Sequence, residues 1–118
     1  MVALNTVYNE NDMVSPAAMA EALHITVDEV AGMIGISSAS LKRADRRFNV
    51  KTQTKLKDML NIINLVTPWA GSELQAYAWY RSTLIPALGN ITAETAVKMG
   101  HSQAVRDYLE TISLGGYA

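Results

Sequence analysis

The side chains best suited to act on a partner are concentrated in one short stretch. Lys42, Arg43, Arg46, Arg47, Lys51, Lys55 and Lys57 are seven of the ten basic residues, opposed only by Asp45, so residues 42–57 carry a net charge of +6. Residues 1–41 hold Glu10, Asp12, Glu21, Asp28 and Glu29 with no Lys or Arg, a net of −5, and residues 58–118 net −2. A cationic block inside a chain of net charge −1 is the footprint of a phosphate-facing patch, with a solvated helix face as the plain alternative. Catalytic groupings do not emerge. His24 and His101 fall at helix boundaries with no partnered carboxylate or nucleophile at a recognisable spacing, which suits turn or capping roles. Acidic residues stand mostly singly at helix starts, where the helix dipole accounts for them. No glycine-rich phosphate loop, metal-ligand cluster or nucleophile elbow occurs. Gly115-Gly116 has no helix after it and cannot cradle a phosphate at a helix N-terminus. These residues predict a binding protein rather than an enzyme, with no metal and no cofactor.

The elements expected to position the basic block are helices. Ser15-Pro16 places a cap before a proline at the first helical position, and Ala17, Ala18, Met19, Ala20 and Leu23 continue that helix to His24. Residues 1–12 show no helical period, and residues 1–14 read as a flexible arm or as a segment ordered only by a partner. Thr26-Val-Asp-Glu29 is a capping box opening a helix with Val27, Val30, Ala31 and Ile34 on one face. Gly35 suits a left-handed turn, and Ser37 restarts a helix through Ser40, Leu41 and Ala44, with Leu41 and Ala44 expected in the core. Helix, glycine turn and second helix predict a helix-turn-helix over residues 15–66. Its second helix would present Ser37, Ser38, Ala39, Lys42, Arg43, Arg46 and Arg47 to DNA: hydroxyls and amides to phosphate, cations to phosphate or guanine edges. A packing or dimer platform is the alternative use of the same motif.

The remaining chain is also helical. Leu56, Met59, Leu60 and Ile63 recur at i, i+3, i+4 and i+7, with Ile62 and Val66 widening the stripe. Lys51, Lys55 and Lys57 at that helix's start oppose its dipole. Thr67-Pro68-Trp69-Ala70-Gly71 is expected to break the chain, and Ser72-Glu-Leu-Gln75 to cap a helix carrying Ala76, Trp79 and Tyr80. Leu84-Ile85-Pro86-Ala87-Leu88-Gly89-Asn90 is too apolar for an ordinary loop, so burial is expected for it. Thr92 and Ser102 cap two last helices, the second with Val105, Tyr108, Leu109 and Ile112 on one face and a stop at Gly115. Apolar residues are 49% of 118 and charged residues 18%, which predicts a globular all-α domain of about seven helices. Cysteine is missing, which excludes a disulfide scaffold and fits a reducing cytoplasm. Apolar runs are only a few residues long, and Met-Val-Ala-Leu-Asn lacks a basic signal region, so a soluble cytoplasmic protein with no membrane contact is expected.

Ala76-Tyr-Ala-Trp79, Leu84, Ala87-Leu88-Gly89, Thr92, Val105, Leu109, Ile112 and Gly115-Gly116-Tyr117-Ala118 form a run with a family likeness. It resembles the toxin-binding domain of Xre/MbcA/ParS-type antitoxins, which follows a small Xre-like helix-turn-helix. Over residues 15–118 the order of parts is similar, with residues 67–118 as the toxin-binding domain. Two positions depart from the pattern: Asn90 replaces a second glycine, and Ala93 replaces a helix-opening proline.

The resemblance implies a type II antitoxin that neutralises a RES-domain, NAD-consuming toxin and represses its own operon. It implies that Leu114, Gly115, Gly116, Tyr117 and Ala118 cover the toxin's active-site cleft, with Arg81 and Gly89 in the toxin-facing surface. Tyr117 would fill an aromatic slot, and the Ala118 carboxylate would pair with an arginine that otherwise holds a phosphate. Tyr117 folded back as a cap on its own helix is the other use of that side chain. The family also implies a homodimer, which a symmetric operator would require. A stand-alone helix-turn-helix regulator whose C-terminal half only dimerises is the alternative function.

Overall fold

The structure, a computed structural model, describes residues 12–115. The described residues form an all-α fold of eight helices, with Ile85 and Ile91 paired in an isolated antiparallel bridge. In order the helices are α1 (Pro16–Leu23), α2 (Val27–Ile34), α3 (Ser38–Lys42), α4 (Ala44–Arg47), α5 (Val50–Ala70), α6 (Glu73–Ser82), α7 (Ala93–Lys98) and α8 (Ser102–Gly115), with a 3₁₀ turn at Pro86–Leu88. The chain divides into two compact units at Leu60/Asn61, inside α5.

Capping chemistry sets most helix starts, because a hydroxyl or carboxamide oxygen satisfies amides that have no helical acceptor. Ser15 accepts from Ala18 N–H at 3.2 Å to open α1. Thr26 and Glu29 form the reciprocal box on α2, with Glu29 N–H donating to Thr26 Oγ1 at 3.0 Å. Ser37, Ser72 and Thr92 cap α3, α6 and α7 in the same way. Asn49 opens α5, its Oδ1 accepting from Thr52 N–H at 2.8 Å. At the other ends, His24 (φ 59°) and Gly35 (φ 74°) turn the chain through the left-handed region.

Within the first unit, α1 packs on α2, α2 on α3 and α3 on α4. Met19, Leu23, Val30, Ala31, Met33, Ile34 and Leu41 are at most 2% exposed. Within the second, α6 packs on α7, and α7 and the 3₁₀ turn pack on α8. Tyr80, Ile85, Ala96, Val97, Val105 and Leu109 are buried there. Each fully buried Leu, Ile or Met contributes about 2 kcal/mol.

Five local expectations are corrected. The helix expected from Ser37 through Ala44 stops at Lys42, because Arg43 is extended (φ −99°, ψ 126°) and α4 restarts after it. Ala44 is exposed rather than in the core, so no apolar side chain between Lys42 and Arg47 anchors a continuous helix. The break expected over residues 67–71 falls at its last residue, Gly71 (φ 100°), and not at Pro68: α5 runs on to Ala70. Pro68 and Asn64 are both exposed, Pro68 has no N–H for the Asn64 carbonyl, and Thr67 Oγ1 donates to the neighbouring Ile63 C=O at 2.7 Å. The apolar loop at 84–90 is not covered by the chain: Ile85 is buried, but Leu84 is 59% exposed and Pro86 and Ala87 are exposed as well. The flexible arm expected over residues 1–14 does not extend to Val14, which is fully buried. Residues 1–11 lie outside the described residues.

Candidate nucleic-acid and partner surfaces

The proposed DNA-facing residues occupy α3, the extended Arg43 and α4. Ser37 is spent on structure, since its Oγ accepts from Ser40 N–H at 3.2 Å and donates to Ser40 Oγ at 2.9 Å. Ala39, Lys42, Arg43 and Arg46 are exposed, and Ser38 and Arg47 are half-buried. Two cations are met by carboxylates: Lys42 Nζ lies 3.1 Å from Asp28 on α2, and Arg43 bonds Asp45 at 3.3 Å and 3.4 Å. Lys42 and Ser38, one turn apart on α3, both hydrogen-bond Asp28 and hold its carboxyl below the usual carboxylate range. Arg47 stacks over the Phe48 ring at 5.4 Å. Lys51 lies in the first turn of α5, whereas Lys55 and Lys57 lie beyond it and are half-buried, so the dipole conflict is confined to Lys51.

Sequence reasoning missed what holds this face in place. Gln53 of α5 is 4% exposed, and its whole carboxamide bonds backbone. Its Oε1 accepts from Val14 N–H at 2.8 Å, and its Nε2 donates to the Val14 and Arg47 carbonyls, both at 2.9 Å. A glutamine within an apolar helix stripe was the available signal, because a buried amide must find partners. A cleft of about 430 Å³ opens beside this clamp, bordered by Ser15, Pro16, Ala17, Lys42, Arg47 and Phe48.

The proposed partner-facing residues sit on a braced scaffold. Arg81 Nε donates to Glu94 Oε1 at 2.8 Å and its Nη1 to Tyr77 Oη at 3.4 Å, while Lys98 approaches the other Glu94 oxygen at 3.3 Å. The Tyr77 and Glu94 hydrogen bonds raise the Arg81 pKa further, so its charge is permanent. Gly89 (φ 84°) and Asn90 (φ 63°) take successive left-handed conformations, and Ile85 N–H donates to Ile91 C=O at 2.8 Å across the loop. Asparagine tolerates that backbone, so the glycine-to-asparagine departure leaves the turn intact. Ala93 is fully buried at the start of α7, and Thr92 caps it without a proline. α8 reaches Gly115; the side chain of Leu114, and all of Gly116, Tyr117 and Ala118, lie outside the described residues. Trp79 is half-buried, whereas Trp69 is 42% exposed and borders, with Leu65, Arg106 and Leu109, a second cleft of about 490 Å³.

His24 and His101 stand at helix boundaries and are exposed. No group of three His, Asp or Glu positioned to hold a metal occurs among the described residues, and none of their helices is long and apolar enough to cross a membrane. Compared with family models, curated proteins and solved structures, the chain matches none.

Proposed function

We propose that the chain is the antitoxin of a type II toxin–antitoxin pair, with one surface for a RES-domain toxin and another for operator DNA. The observation that carries the reading is the 84–90 loop. Leu84, Pro86 and Ala87 are exposed, yet the backbone beneath them is pinned by the Ile85–Ile91 bridge and the Gly89–Asn90 turn. Apolar side chains held in solvent on a fixed loop are suited to burial by a protein partner. The permanent charge of Arg81 lies one helix end away and adds a polar rim. The toxin class rests on the resemblance of the 76–118 motifs. In this reading Leu114 and Gly115 lead into the plug, and Gly116, Tyr117 and Ala118 enter the NAD-binding cleft.

The DNA half rests on the exposed cations Lys42, Arg43 and Arg46, and a two-fold operator would engage two copies of the chain. Deleting residues 114–118 is the direct test. Cells co-expressing the toxin should lose protection, and a truncated chain that still protects would sink the plug mechanism. The regulator reading draws on Leu65 and Trp69, each more than 40% exposed and available for self-association. A neighbouring reading frame encoding a RES domain decides between the two.

A further inference from the structure

The cleft beside Gln53 has a chemistry of its own. Pro16, Ala17, Val27, Leu41 and Phe48 give it an apolar lining, which Lys42 and Arg47 share. None of the described residues that line it is a carboxylate. An apolar wall under two cations is complementary to one repeating unit of a nucleic-acid backbone, with the deoxyribose on the wall and the phosphate between the cations. The surrounding sequence supports that ligand, because residues 42–57 carry a net charge of +6. Gln53 joins two stretches of this lining: its carboxamide holds Val14, next in sequence to residues 15–17, and the carbonyl of Arg47 itself. Asp28 holds Lys42 at 3.1 Å, but both side chains are more than 60% exposed, so a phosphate competes on open terms.

We propose that this cleft takes one sugar–phosphate unit of duplex DNA, and that Gln53 is the positioning residue that sets its width. The inference rests on the DNA half of the proposed function and deepens it. It assigns Lys42 and Arg47 to the backbone and leaves base reading to other residues.

The experiment measures binding of the full chain to a short random-sequence duplex over a range of salt concentrations. Lys42→Gln and Arg47→Gln should each flatten the plot of log affinity against log salt by about one unit. Because both cations address one phosphate, the double variant should flatten it by about one unit as well. Gln53→Met should lower affinity severalfold in the wild-type background and have no further effect in the Arg47→Gln background. A purely structural glutamine would weaken both backgrounds alike. If Gln53→Met does not fold, as judged by its thermal melt, the Lys42 and Arg47 slopes decide. Additive slope losses would mean two phosphates and overturn the shared site. Unchanged slopes, with binding abolished by Arg43→Gln and Arg46→Gln together, would overturn the cleft while leaving DNA binding intact. A wild-type chain with no salt-dependent binding would bring down the DNA reading and this inference with it.

Discussion

Asp28 illustrates how one residue can serve two ends. Its carboxylate lies in the first turn of α2, where negative charge suits the helix dipole, and it accepts from Lys42 and Ser38. Those bonds lower its pKa from 3.8, so the interaction is fully present at neutral pH and is lost as pH falls through the depressed value. The same contact holds Lys42 away from phosphate. Asp28→Asn is therefore expected to raise DNA affinity about two- to fivefold at neutral pH, read from salt titrations. Unchanged affinity would show that Lys42 is not held in reserve. Thr26 was legible as a cap because its partner Glu29 is three residues away. The Asp28–Lys42 pair was not, because nothing local says which anion a distant lysine meets.

At the scale of elements, the loops and breaks carry the information. Gly89 adopts φ 84° in open space, so a side chain there meets no neighbour but strains the backbone. Gly89→Ala should cost about 1–2 kcal/mol in thermal or urea unfolding, and Asn90→Gly should be tolerated. Pro68 offers the opposite case. It is exposed within α5 and withholds a donor, so Pro68→Ala should stabilise the chain by about 1–3 kcal/mol. An unchanged melting temperature would mean that water already satisfies the Asn64 carbonyl. The sequence placed the break somewhere in residues 67–71, and the helix passes Pro68, which propensity disfavours, before ending at Gly71. Tertiary burial of Ile62, Ile63 and Val66, each at most 3% exposed, outweighed that preference. The large apolar side chains left open nearby are Leu65 and Trp69.

At the scale of the molecule, the two proposed surfaces occupy different compact units: the basic residues 37–47 in the first, the 81–90 segment and α8 in the second. Function should divide accordingly. Replacing Lys42, Arg43 and Arg46 together with alanine should abolish operator binding, measured by salt-dependent titration, while toxin neutralisation persists. Loss of both activities would show that the surfaces are not separable.

The sequence by itself determined the all-α class, the caps at Ser15, Thr26, Ser37, Ser72 and Thr92, and the left-handed turn at Gly35. These depend on side chains meeting backbone within three or four residues, and such contacts are written in spacing alone. Tertiary structure decided the rest. It left Leu84, Pro86 and Ala87 in solvent and ended α3 at Lys42. It also joined Gln53 to Val14 across 39 residues. Burial and long-range hydrogen bonding depend on which surfaces the folded chain brings together, and no local pattern encodes that.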